Sequence, residues 1–364
     1  MERVNRLRVR EYGIIIGEYC TGPKNSISDV KGVKVGHYTL IRGEGKLVPG
    51  HGPVRTGVTV IFPNDNIYRN KVIAAYHVIN GFGKPIGLLQ VGELGLLESP
   101  IGLTNTLNIG IVADALIEYT IRSNSDIDVY TFNPVVLECN DSYLNDIQGR
   151  HVRHNHVFKA IENLSNDVVE GSVGAGTGMV SFGFKGGIGT SSRKLSGKLG
   201  GYTVGVLVLT NFGYMKDLRI NGVPVGLELR KFFRKDIEKN DGSIIIIVAT
   251  DAPLNSRQLR RLAKRACNGI SRVGGISSHG SGEFVLAFST RNTVSYNDIV
   301  LFDETILNDA YLSPLFRAVI EATEEAVLNS LFKSETMKGR DNHIVYGIPI
   351  DKVLEILDSH GLVR

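Results

Sequence analysis

A serine at the head of an apolar run can do chemistry that an ordinary serine cannot, and Asp241-Gly242-Ser243-Ile244-Ile245-Ile246-Ile247-Val248 offers one. A hydroxyl is a poor nucleophile until a base takes its proton. One available base is the serine's own α-amine, once the preceding peptide bond has been cut. An α-amine has a reference pKa of roughly 7.7–8.0, so a substantial neutral fraction exists near neutral pH to accept that proton. Gly242 suits such a cut, because a residue without Cβ lets the hydroxyl approach the carbonyl and tolerates a strained backbone. Taken alone, the segment reads more readily as a Gly-Ser turn leading into an ordinary buried strand.

Three other constellations compete for attention. In His279-Gly280-Ser281-Gly282-Glu283, a strand would put His279 and Ser281 on one face, as a Ser-His-acid arrangement needs; the same residues also suit a solvated turn. Gly174-Ala175-Gly176-Thr177-Gly178 suggests a phosphate loop, but it lacks the G-x-x-x-x-G-K-[ST] spacing and a strand-to-helix setting. Close backbone packing is the expectation there. His151, His154 and His156 have metal-binding chemistry, yet a helix brings only His151 and His154 together, beside Arg150 and Arg153, which oppose a cation. They read as a surface or subunit-contact cluster, and no metal or organic cofactor is expected.

The elements that must hold these groups are short. Apolar runs rich in β-branched residues predict strands at Val58 to Phe62, Pro85 to Val91, Val129 to Leu137, Tyr202 to Leu209 and Ser243 to Ala249. Helical spacing predicts a helix from about Thr106 to Ser123 and a second after Pro253, with Leu259, Leu262, Ala263 and Ala266 opposite a basic face from Arg257 to Arg265. A third, SPLFRAVIEATEEAVLNSLF, has Ser313 as its expected N-cap and Pro314 at its first helical position. Intermixed strands and helices predict layered α and β packing without a domain boundary.

Composition bounds the partners. A chain of 364 residues that is 42% hydrophobic can fill one large core, and a net charge of +4 with no long single-sign block gives no nucleic-acid surface. The longest apolar runs fall short of the ~18–20 residues of a membrane helix, so no membrane partner is expected. Cys20, Cys139 and Cys267 are too few and too scattered for a disulfide framework, which suits a cytoplasmic protein.

A series of ordered motifs then becomes specific. Arg10-Glu11-Tyr12-Gly13-Ile14 and the run Gly22-Pro23-Lys24-Asn25-Ser26 through Gly36-His37 are followed by Gly57-Val58-Thr59, Glu93 through Ile101, and Asn140-Asp141-Ser142-Tyr143-Leu144-Asn145-Asp146. The glycines at 174–178, Asn211-Phe212-Gly213, the Gly242-Ser243 junction, Ala249 through Leu254, and Glu321 through Ala326 complete the order. In this the chain resembles the DmpA-type L-aminopeptidase/D-Ala-esterase family over nearly its whole length. The resemblance implies a four-layer αββα sandwich, like the Ntn hydrolases in architecture but with different strand connectivity. It also implies self-cleavage into residues 1–242 and 243–364, which stay in one folded unit.

Carried over position by position, the resemblance makes Ser243 the nucleophile and gives it the role of base through its amine, leaving His279 outside the mechanism. Asn211 matches an oxyanion-stabilising asparagine, Ser281 and Glu283 a proton-tuning pair, and Tyr143 a tyrosine that supports the site. Glu138 is a candidate for holding the substrate's α-ammonium. The implied activity is release of N-terminal residues from short peptides, amides or esters through an acyl-enzyme, in a homotetramer of processed units. Two rivals stand beside it: acyl transfer of the ornithine acetyltransferase type, and a non-catalytic binding protein on the same fold.

Overall fold

Every residue from Ser243 to Thr250 is buried, which requires a strand with core on both faces. The side chains alternate accordingly. Ile244, Ile246 and Val248 pack into one apolar cluster, and Ile245, Ile247 and Ala249 into another. These positions come from a computed structural model that describes residues 6–233, 242–296 and 301–362, so Asp241 lies outside the described residues.

In chain order the strands are β1 Lys34–Arg42, β2 Val54–Phe62, β3 Asn70–Gly81, β4 Leu96–Leu97, β5 Ile101–Asn105, β6 Val135–Cys139 and β7 Val180–Ser181. They continue with β8 Phe184–Lys185, β9 Ile188–Lys194, β10 Thr203–Asn211, β11 Ser243–Thr250, β12 Gly282–Ser295, β13 Met337–Lys338 and β14 Ile344–Val345. The α-helices are α1 Leu88–Leu94, α2 Ile109–Ser123, α3 His154–Glu162, α4 Val225–Arg230, α5 Ser256–Arg272, α6 Leu312–Phe332 and α7 Ile350–Asp358.

Two sheets stack. One has the order β4-β3-β12-β11-β10-β9 and the other β1-β2-β5-β6, and the cluster between them includes Leu103, Leu137, Leu207, Ile245, Ile247 and Leu286. Helices α5 and α6 close the outer face of the first sheet through Leu259, Leu262, Leu315 and Val319. Helices α2 and α3 close the outer face of the second through Val112, Leu116 and Val157 against Val58 and Val60. The layers therefore run helix, sheet, sheet, helix, the αββα order that the sequence reading expects. No helix of the described residues is long and apolar enough to cross a membrane.

Three sequence expectations need correction. Pro85 to Val91 is not a strand: α1 begins after Gly87 (φ 85°) and stops at Gly95 (φ 69°), with Leu88 and Val91 turned inward. A short apolar run fits either element, and the two left-handed glycines decide the outcome. The strand expected over Val129 to Leu137 pairs only from Val135, after Pro134, which has no N–H to give, and it extends to Cys139. Ser313 is not an N-cap. It lies inside α6, which grows from a 3₁₀ turn at Asp309–Tyr311 capped by Asn308.

The basic face of α5 is largely used within the fold. Arg257 and Arg261 pair with Asp309, Arg265 lies over the Phe316 ring, and Arg272 pairs with Glu324.

Candidate active site

Strands β10, β11 and β12 place the candidate groups at one end of the larger sheet. Antiparallel pairing sets Asn211 opposite Ser243, and parallel pairing sets Ser243 beside Gly282. The Gly242–Ser243 junction therefore stands where β11 enters the sheet. Ser243 is 9% exposed. Its side chain shares the parity of Ile245 and so faces the space between the sheets, whereas Glu283 shares the parity of Val285 and faces the helix layer.

Close approach explains both glycines. A Cβ on Gly242 would fall 2.5 Å from Phe212 Cα and 2.6 Å from the Asn211 carbonyl oxygen. One on Gly282 would meet the Phe82 carbonyl oxygen at 2.7 Å and Ser243 Oγ at 3.2 Å. The Gly282 N–H instead donates to the Gly242 carbonyl and to Ser243 Oγ, both at 3.2 Å. One backbone donor thus serves the hydroxyl and the carbonyl of the bond before it.

Asn211 is fixed at both ends of its amide: Oδ1 accepts from the Val180 N–H at 3.0 Å, and Nδ2 donates to the Asn140 carbonyl at 2.9 Å. Val180 follows the 174–178 glycine turn, where a Cβ on Gly178 would lie 2.2 Å from the Arg55 carbonyl oxygen and one on Gly176 2.6 Å from Ile188 N. That segment packs against backbone and serves the site by delivering Val180.

Glu283 carries two hydroxyl donors, Ser281 Oγ to Oε1 at 2.7 Å and Ser277 Oγ to Oε2 at 2.6 Å. Ser277, Ser281, Glu283, Phe212 and Gly242 line one small cavity. The loop bearing the serines is anchored by Asn80, whose Nδ2 donates to the carbonyls of Ser278, His279 and Ser281. A bulge at Ile79 shifts the β3–β12 register just there and sets Asn80 opposite Glu283.

Glu138, 5% exposed, accepts from the Lys84 N–H at 3.2 Å and from the Thr106 hydroxyl. It lies beside Gly83, which in turn packs on Gly282. Tyr143 sits three residues beyond Asn140; its ring stacks on His343 at 4.5 Å, and no hydrogen bond is described for its phenol. Strand pairing therefore sets Asn211 and Gly282 beside Ser243, and Gly242, Ser281 and Glu283 gather around one cavity, with Glu138 beside Gly83 and Tyr143 three residues beyond the Asn140 carbonyl that Asn211 bonds.

The rival base does not fit. His279 lies in a turn, not a strand, and is exposed while Ser281 is buried, so their side chains share no face. The three-histidine segment disperses: His151 bonds Asp146, His154 bonds Asp114 and Glu118, and His156 stacks on Tyr38. Sequence reasoning missed Ser277, Asn80 and the Gly282 N–H. A backbone donor leaves no mark in residue type, and neither Ser277 nor Asn80 lies in a motif that singles it out.

Comparison with known proteins gives the chain a family and a fold. The profile of peptidase family S58 matches residues 25–345. The beta-peptidyl aminopeptidase BapA of Sphingosinicella xenopeptidilytica is 42% identical over 370 residues, spanning 97% of this chain and 91% of that protein. Among solved structures, a protein of Pyrococcus horikoshii OT3 is 53% identical with a TM-score of 0.93, over 98% of this chain and 99% of that one. The L-aminopeptidase D-Ala-esterase/amidase of Ochrobactrum anthropi, described as a variant of the Ntn hydrolase fold, is 36% identical with a TM-score of 0.90, covering 98% and 99%.

Proposed function

The chain belongs to peptidase family S58, and from that premise we propose that Ser243, freed by a cut after Gly242, is the nucleophile that removes N-terminal residues from short peptides, amides or esters. The protein is an aminopeptidase of the serine N-terminal-nucleophile type. The observation that carries the residue assignment is the Gly282 N–H, 3.2 Å from both Ser243 Oγ and the Gly242 carbonyl oxygen.

In maturation, Ser243 Oγ attacks the Gly242 carbonyl carbon while the Gly282 N–H faces the developing oxyanion. The Gly242–Ser243 C–N bond breaks, the nitrogen takes a proton, and water hydrolyses the resulting ester to a Gly242 carboxylate and a free Ser243 amine. In turnover that amine takes the hydroxyl proton as Oγ attacks the substrate carbonyl. The oxyanion then faces the Asn211 amide and the Gly282 N–H, the leaving amine receives the proton, and water releases the acyl group. Ser281 and Glu283 steady the charged amine, Glu138 receives the substrate's own α-ammonium, and Tyr143 gives a hydrogen bond to the reacting carbonyl or leaving group.

Beta-linked N-terminal residues belong among the substrates, as the name of the Sphingosinicella relative suggests for that enzyme. The mature form is a tetramer of processed units in the cytoplasm; the free thiols of Cys20, Cys139 and Cys267 suit a reducing compartment. Intact-mass measurement tests the core of this reading. The purified protein should give fragments 1–242 and 243–364, and Ser243→Ala should stay one inactive chain. Hydrolysis of a dipeptide by uncut wild-type protein would refute the free-amine mechanism.

A further inference from the structure

Glu283 is held from two sides, and only one of its holders has so far been given a task. We propose that Ser277 is a positioning residue: it fixes the second oxygen of the Glu283 carboxylate so that Ser281 presents its oxygen toward the Ser243 amine. The inference deepens the reading above and rests on it.

Three independent observations meet at Ser277. Its hydroxyl donates to Glu283 Oε2 at 2.6 Å, while Ser281 donates to Oε1 at 2.7 Å. With both oxygens engaged, the carboxylate has one rotational setting. Ser281 spends its proton on Glu283, so the lone pairs of its oxygen are what it offers to an ammonium. Second, Ser277 has φ 52°, a left-handed conformation that a serine seldom adopts and that a glycine or asparagine adopts readily. Backbone strain of this kind persists only where the surroundings over-determine it, and here the hydroxyl contact and the Asn80 clamp on the next residues do so. Third, Ser277 lines the same cavity as Gly242, the residue whose bond to Ser243 is the proposed site of the cut. A serine that merely completed a turn would need neither the strained backbone nor a hydroxyl aimed at the buried acid.

The chemistry predicts a particular failure when the hydroxyl is lost. The carboxylate gains a second rotational setting and Ser281 loses its fixed direction, so the proton transfers slow, whereas substrate recognition at Glu138 is untouched. The test compares wild type, Ser277→Gly and Ser277→Asn on one dipeptide amide, with rates normalised to active sites titrated by the acyl-enzyme burst. Glycine relieves the backbone and removes the donor; asparagine accepts the left-handed backbone and restores an N–H donor.

We expect Ser277→Gly to mature more slowly and to lose about 10- to 100-fold in kcat, the range for one hydrogen bond to a charged group, with KM within about twofold. Ser277→Asn should recover most of the loss. Wild-type kcat in Ser277→Gly, or an equal loss in Ser277→Asn, would overturn the inference. Those outcomes leave the wild-type cut and its dependence on Ser243 intact, so they are distinguishable from failure of the nucleophile assignment itself, in which Ser243→Ala would still turn over.

Discussion

Asn211 is the residue whose environment most restricts what it can be. Its amide is locked by a donor at Val180 and an acceptor at Asn140, so the side chain cannot swing away from Ser243 across the strand pair. Asn211→Ala should therefore lower kcat by about 10²–10³, the loss seen when one oxyanion donor is removed, with little change in KM. Pre-steady-state kinetics would check this, and an unchanged acylation rate would remove Asn211 from the mechanism. At this scale the sequence was readable where a candidate is a residue type at a fixed place in a motif, as for Ser243, Asn211, Ser281 and Glu283, which the fold brings to one end of the larger sheet. It was unreadable where function uses backbone, as with the Gly282 N–H, or a lone polar side chain reached across the sheet, as with Asn80.

Elements were legible when their burial was symmetrical or their periodicity long. The isoleucine run of β11 and the apolar stripe of α5 are unmistakable, because neither pattern has a second structural solution of that length. The stretch from Pro85 to Val91 has two, and the left-handed glycines at Gly87 and Gly95, with Leu88 and Val91 packed in the inter-sheet core, select helix. β1 carries a further consequence. His37 bonds Thr59 through Nδ1, its Nε2 is buried without a partner, and burial pushes its pKa down from 6.5 to about 4. The fold therefore holds the neutral ring, while the unfolded chain binds a proton throughout the interval between those values. Stability from this group is complete above pH 6.5 and is lost as pH falls toward 4, by about 3 kcal/mol in all. Urea unfolding of wild type and His37→Asn at pH 7 and pH 4.5 checks the sign. The variant should lose less stability on acidification, and equal losses would exclude His37 as the source.

The proposed cut falls in the central sheet, and the contacts of the whole molecule are distributed so that the two proposed fragments stay together. β11, from the second fragment, lies between β10 from the first and β12 from the second, and β12 pairs in turn with β3 from the first. Two ladders thus cross the cut. A buried charge network crosses it as well: Arg193 of β9, fully buried, pairs with Glu321 and Glu325 of α6, and Arg10 pairs with Glu325 from the N-terminal segment. Burial would raise the Glu325 pKa, but hydrogen bonds and charge from Arg10 and Arg193 outweigh it and hold the carboxyl below its ordinary range. The fragments should consequently co-elute in size-exclusion chromatography and part only in denaturant. Arg193→Met leaves Glu321 buried without its ion-pair partner and Glu325 with one ion-pair partner, Arg10, and the Asn25 amide, a defect that costs about 3–5 kcal/mol in comparable buried pairs. The same loss would be modest if the network were solvated, so denaturant titration of the processed variant discriminates. A shift below about 1 kcal/mol would mean that the two ladders alone keep the halves together.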